Sequence, residues 1–198
     1  MQRVSLSKVT RFILLFSVCA LITPAAVLEF TGNLAPEVAG SSGFGSAEVT
    51  YDSVAHTLLV SFDWNNLTGT TTVAHIHCCV DPPGTAGVAT FPGTFPGFPM
   101  GTTSGSYTSP APIDLTLASS YTMNFLNNFG GGTAAGAEAA LVQGLMDSRA
   151  YLNVHTTFAM GGEIRDFLAP VPEPGTYALV GCALAGVVIS RLRRRSAV

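Results

Sequence analysis

Apolar and polar residues alternate along several short segments in the middle of the chain. The clearest is His56–Trp64, where Leu58, Val60 and Phe62 share one face with the tryptophan, and Thr57, Ser61 and Asp63 fall on the other. This period of two is typical of a strand with one buried face. The same criterion predicts four more strands, at Gly43–Tyr51, Val73–Cys79, Tyr151–Phe158 and Glu163–Leu168.

One segment has helical periodicity instead. In Ala134–Asp147, Leu141 and Leu145 fall on the same face as Ala137, and Thr133 precedes the segment as a candidate N-cap. Between strands and helix, a stretch rich in Gly, Pro and Phe predicts a long ordered loop over residues 81–112. Short strands with one helix indicate a mainly β fold, an antiparallel, immunoglobulin-like β-sandwich with one short helical insert.

The N-terminus has the pattern of a targeting segment. Arg3, Lys8 and Arg11 precede an apolar run, Phe12–Ile22, and small residues follow it. This architecture predicts a signal peptide over residues 1–26. The alternative is a permanent N-terminal anchor, but the run is shorter than the roughly 20 residues that span a bilayer.

The C-terminus combines three features in order. A Pro172-Glu173-Pro174 motif precedes an apolar run, Tyr177–Ser190, and a basic cap of Arg191, Arg193, Arg194 and Arg195 follows it. Basic residues beside a membrane segment stay in the cytoplasm, which leaves the preceding domain outside. The predicted organisation is a signal peptide at 1–26, a β domain at 27–169, a Pro-rich linker at 170–176 and a transmembrane segment with its basic cap at 177–198.

Charge is divided unevenly along the chain. Between the two apolar ends there are two arginines, Arg149 and Arg165, against all twelve acidic residues, a formal charge of −10. Such a surface repels phosphate backbones, so nucleic acid is not an expected partner. The only cysteines of the β domain, Cys78 and Cys79, are adjacent, and a redox-active disulfide, free thiols, metal ligation and an intermolecular bridge all stay open.

Three histidines form the strongest chemical pattern. Alternation places His75 and His77 on one face of their strand, with Cys79 following in the same alternation, and His155 on the polar face of another. If the strands pair, the three imidazoles meet and form a site suited to zinc or copper. Glu163 is a candidate to ligate the metal or orient the ligands; alternatively, Glu163 and Arg165 pair with each other or with polar neighbours. The competing interpretation of the histidines is ordinary polar surface or a hydrogen-bonded corner.

These residues carry a family resemblance. Ala74–His77, Ala150–Thr156 and Gly161–Arg165 together resemble the CHRD (chordin-type) domain over roughly residues 27–168. The resemblance implies a β-rich extracellular module to which no enzymatic activity is firmly attached, and it marks the histidines, Glu163 and Arg165 as positions without assigning roles. Asp166 departs from the family pattern, which usually has glycine there.

The tail resembles the PEP-CTERM sorting signal. That resemblance implies cleavage near the Pro-Glu-Pro motif by an exosortase-type protease in the inner membrane, after signal peptidase has removed the leader. The expected location is therefore the cell surface or the extracellular space, reached through a transiently membrane-anchored form. An extracellular polysaccharide is a candidate ligand.

Two functions are consistent with the sequence. The preferred one is an exported surface or matrix module without enzymatic activity, because no Gly-x-Ser-x-Gly, His-Glu-x-x-His or Gly-rich phosphate motif is present. The alternative is a copper- or zinc-binding protein, redox-active with copper, that uses His75, His77 and His155.

Overall fold

The computed structural model describes residues 27–172, which form two antiparallel sheets and two helices. The strands are β1 (Val27–Gly32), β2 (Ala35–Pro36), β3 (Ala47–Asp52), β4 (Thr57–Trp64), β5 (Thr71–Cys78), β6 (Gly105–Thr108), β7 (Ile113–Asp114), β8 (Ala150–Thr156), β9 (Ile164–Phe167) and β10 (Ala169–Pro170). The helices are α1 (Met123–Asn128) and α2 (Ala134–Met146). A single 3₁₀ turn, Ala118–Ser120, precedes α1.

The first sheet has the order β10-β1-β3-β4-β6, and β7 also pairs with β4. The second sheet has the order β2-β9-β8-β5. Residues of both sheets join one hydrophobic core, to which β4 contributes Phe62 and Trp64, β5 contributes Ile76 and β8 contributes Leu152. The mainly β, antiparallel prediction is therefore confirmed, while the finer immunoglobulin-like assignment stays a prediction.

The outer edge of β5 is covered by the segment that follows it. Cys78 donates its backbone N–H to the Gly87 carbonyl at 3.2 Å, and Ala89 N–H donates to the Ile76 carbonyl at 2.9 Å. Further along, Phe95 N–H donates to the Ala74 carbonyl at 3.3 Å. The predicted long loop is thus ordered because its backbone pairs with a strand edge that would otherwise be exposed.

The predicted strands agree with the observed ones to within a few residues. Six observed strands and helices have no predicted counterpart: β1, the two-residue strands β2, β7 and β10, strand β6 and helix α1. β6 lies inside the predicted loop. It is a strand because its four residues pair with Ser61–Trp64 of β4, a long-range contact that local pattern does not encode.

The longer helix begins as predicted, with the Thr133 side chain accepting a hydrogen bond from Gly136 N–H. Its buried face packs against Cys78 and Cys79, which form a disulfide across a cis peptide bond. A Cβ added to Gly144 would overlap the Cys78 sulfur, so glycine permits this contact. The alternation that placed Cys79 with the histidines is wrong, because β5 ends at Cys78.

No helix between residues 27 and 172 is long and apolar enough to cross a membrane. The predicted signal peptide, the predicted transmembrane segment and the arginine cap lie outside the described residues, as do Glu173 and Pro174 of the sorting motif.

Candidate metal centre

The three predicted histidines lie together on the outer face of the second sheet. Strands β5 and β8 are antiparallel neighbours, and their register pairs Val73 with His155, His75 with Asn153 and His77 with Tyr151. The intervening aliphatic residues of both strands face the core. One polar face therefore carries all three imidazoles, as the alternation predicts.

The imidazole nitrogens converge. His75 Nδ1 and His155 Nε2 are 3.4 Å apart, and His77 Nε2 and His155 Nε2 are also 3.4 Å apart. One nitrogen from each ring lies within 4.8 Å of the other two. Each histidine is only 7% exposed, so water does not solvate these atoms freely.

The outward nitrogen of each ring contacts a backbone carbonyl. The pairs are His75 Nε2 with the Gly93 oxygen at 2.6 Å, His77 Nδ1 with the Ala86 oxygen at 2.9 Å and His155 Nδ1 with the Met160 oxygen at 2.9 Å. A carbonyl only accepts hydrogen bonds, so each of these nitrogens carries the proton. In the neutral rings the lone pairs then belong to the three nitrogens that face one another.

Burial keeps two of the rings uncharged. Desolvation lowers the pKa of His77 to about 4, against the hydrogen bond to Ala86, and the neighbouring imidazoles lower it further. Desolvation is also the main cause that lowers the pKa of His75. Lone pairs that face one another repel, and a bound cation removes that repulsion.

A stack of side chains supports His77 from one side. Tyr151 lies parallel to the imidazole, with 4.8 Å between ring centroids and 11° between planes. Arg165 lies on the neighbouring strand β9, and its guanidinium carbon is 4.7 Å from the centroid of the Tyr151 ring. Both Arg165 and His77 therefore contact the ring of Tyr151, which links the arginine to the histidine.

Arg165 also anchors the loop that fixes the His77 tautomer. Its Nη1 donates to the Gly84 carbonyl at 3.0 Å, and its Nη2 donates to the Pro83 carbonyl at 2.8 Å. The loop continues to Ala86, whose carbonyl accepts from His77. Arg165 pairs with Glu37, at 3.3 Å. Of the two alternatives predicted for Glu163 and Arg165, pairing with each other is wrong, and pairing with polar neighbours is what the structure shows.

Comparison with known protein families agrees with these motifs. A family model for the CHRD domain matches residues 25–168. The chain belongs to the CHRD family. A model for the PEP-CTERM protein-sorting motif matches residues 170–195, which implies export and processing by exosortase-type machinery. No curated protein and no solved structure matches the chain.

In this CHRD domain Glu163 has a structural environment. The carboxylate accepts hydrogen bonds from Ser41 Oγ at 2.8 Å, Thr68 N–H at 2.6 Å, Gly69 N–H at 3.1 Å and Thr156 Oγ1 at 2.6 Å. Burial alone raises its pKa, but these four donors outweigh burial and hold the pKa below its usual value. Both oxygens are occupied, which contradicts the predicted role of Glu163 beside the metal ligands.

His56 lies at the surface, where its side chain is 51% exposed, but it has a partner. Its Nδ1 lies 2.8 Å from a carboxylate oxygen of Glu138 on helix α2. The same oxygen accepts from the Tyr51 hydroxyl at 2.6 Å. This group fastens the helix to the β3–β4 turn and contains one histidine, so it is separate from the three-histidine cluster.

Sequence reasoning missed the residues that support the histidines through the fold. Tyr151 lies on the same alternating face as His155, and that pattern was the available signal for it. The carbonyls of Gly93, Ala86 and Met160 carry no sequence signal, because any residue type supplies the same group.

Proposed function

We propose that the CHRD domain of this exported chain is a metal-binding module that takes zinc or copper through His75, His77 and His155. One observation carries the proposal: three backbone carbonyls accept from the outward N–H groups, so the nitrogens left with lone pairs are those that lie within 4.8 Å of one another. Ligating histidines commonly donate their other N–H to such an acceptor, which fixes the tautomer.

The donor set suits these metals. Neutral imidazole is a preferred ligand of zinc and copper. Two ligands of a tetrahedral zinc ion at about 2.0–2.1 Å are separated by about 3.3 Å. The two observed nitrogen separations of 3.4 Å are close to that value. Hard cations such as calcium and magnesium prefer oxygen ligands, which this cluster does not offer.

The wider proposal is a surface module without catalytic activity. Its support is the sorting motif together with the acidic domain, which repels polyanions. In this proposal the processed domain resides at the cell surface or outside the cell, where it holds its metal. Zinc would serve as a structural centre in such a module, whereas copper would make the domain redox-active, which is the alternative to a module without catalytic activity.

Metal content tests the proposal. The full chain, with a tag that contains no histidine, would be purified in detergent and compared with a His75/His77/His155→Ala variant by elemental mass spectrometry. We expect about one zinc or copper per chain in the wild type and none in the variant, with metal-dependent thermal stabilisation only in the former. A wild type that binds no metal from excess zinc or copper would refute it.

Arg165 provides a further prediction. Arg165→Gln removes the tyrosine stacking and both loop hydrogen bonds, so His77 loses its support on two sides. Metal affinity should fall about 10–100-fold, the usual effect of changing a group that orients a ligand. Arg165→Lys should not restore it, because an ammonium lacks the planar fork.

The matched control for that measurement is Arg149→Gln. Arg149 pairs with Asp81 of the same loop at 2.8 Å. Within residues 27–172 the arginine that lies over aromatic rings is Arg165. Competition with a chromogenic chelator would report the zinc affinities. Equal losses in both variants would mean that loop charge alone matters, and would contradict a specific role of Arg165.

A further inference from the structure

We propose that Asn153 Oδ1 accepts a hydrogen bond from a water molecule that would occupy the fourth coordination position of the metal as its exchangeable ligand. The inference rests on the proposed metal site and adds the class of its outer ligand. The outer ligand would be a small molecule that donates a hydrogen bond to Oδ1, and water is the proposed ligand.

The side-chain oxygen of Asn153, Oδ1, is buried without a hydrogen-bond donor among the described residues. The side chain is 1% exposed, and none of the described residues donates a hydrogen bond to its Oδ1. Leaving a buried acceptor unpaired is unfavourable, so native proteins rarely tolerate it without a reason. A bound ligand is one such reason.

The amide orientation is determined by its other end. Nδ2 donates to Glu37 Oε2 at 3.0 Å and to the Gly161 carbonyl at 3.4 Å. Glu37 is held in turn by Arg165, 3.3 Å away. Rotating the amide would turn its oxygen towards a carboxylate and a carbonyl, so Oδ1 is the atom left unpaired.

Asn153 is a direct neighbour of the histidine cluster. It is the cross-strand partner of His75, and His155 follows two residues later on the same face of β8. Side chains paired in this way are separated by about 4.5–5.5 Å at Cβ. The backbone of Gly162 closes over the amide: a Cβ there would collide with both amide atoms, and its φ is +129°.

The imidazoles themselves cannot satisfy Oδ1. Their inward nitrogens carry lone pairs, and their outward N–H groups already donate to the three carbonyls. A water molecule has both functions that are needed here, since its oxygen binds the metal while one O–H donates to the amide. Three protein ligands with a fourth position for solvent is the arrangement of exchangeable zinc sites.

Anions without hydrogen should therefore bind less well than water. Azide has no proton to offer Oδ1, and the amide oxygen repels its charge. The Cu²⁺-loaded full chain would be titrated with azide, and its charge-transfer absorption would report the affinity. We expect about tenfold tighter azide binding in Asn153→Ala, the effect of losing roughly one hydrogen bond to water. Asn153→Asp keeps an acceptor and adds a negative charge, so it should bind azide more weakly than the wild type.

Asn65→Ala is the matched control, because Asn65 bridges to Phe44 outside the histidine sheet, and its azide affinity should equal that of the wild type. Elemental analysis checks the copper content of every variant. A wild type without copper would refute the metal site itself. Three results at full copper occupancy would overturn the role of Asn153 and leave the metal site standing. They are an unchanged azide affinity in Asn153→Ala, tighter azide binding in both Asn153 variants, and no azide binding in any of the proteins.

Discussion

Replacing Glu163 with alanine is expected to lower the free energy of unfolding by about 3–5 kcal/mol. The carboxylate is fully buried and is the common acceptor for two backbone N–H groups, of Thr68 and Gly69, and two hydroxyls, of Ser41 and Thr156. Alanine would leave these donors without their partner in a site that water does not reach. The loss should appear in urea unfolding followed by circular dichroism.

Two further variants test whether the lost stability comes from the hydrogen bonds that Glu163 accepts or from the loss of any carboxylate. Glu163→Gln keeps one acceptor oxygen but directs an NH₂ group at donors, so its loss should be smaller than that of alanine without vanishing. Glu48→Ala removes an exposed carboxylate of β3 and should change stability by less than about 0.5 kcal/mol. Metal binding should persist in Glu163→Gln at wild-type affinity, because neither carboxylate oxygen contacts an imidazole. A Glu163→Ala protein as stable as Glu48→Ala would disprove the anchoring role.

Acid should destabilise the metal-free domain through His77. The ring has a pKa near 6.5 in an unfolded chain and about 4 when folded. Between these values the unfolded chain binds a proton that the folded chain excludes, so stability falls as pH falls. The contribution of His77 across this interval is about 3 kcal/mol, and His75 acts in the same direction.

The pH interval in which stability is lost differs between the histidines and Glu163. The pKa of that carboxyl is lowered from 4.5, so the stability it contributes is present above pH 4.5 and is lost at lower pH. Urea unfolding with a chelator at pH 7 and pH 4.5 therefore isolates the imidazoles. The His77→Gln variant should show a clearly weaker pH dependence than the wild type. Identical dependence in both proteins would mean that His77 is not buried as a neutral ring.

Local pattern determined much of this protein before any tertiary contact was known. Alternation in Thr57–Trp64 and in β5 and β8 identified buried faces, because successive strand residues point to opposite sides. The helix period and the Thr133 cap identified α2, since both depend on neighbours within four residues. The His-x-His spacing likewise placed His75 and His77 on one face.

Tertiary structure decided how those faces are used. Pairing of β5 with β8 brought His155 to the other two histidines, and a shift of one residue would have turned it into the core. Most partners of Glu163 and Arg165 lie far away in sequence. The two residues therefore have different partners although they are only two positions apart. The carbonyls that select the histidine tautomers come from loops. Register, partner choice and tautomer arise from long-range contacts that no local periodicity encodes, and these contacts convert three polar strand residues into a candidate metal centre.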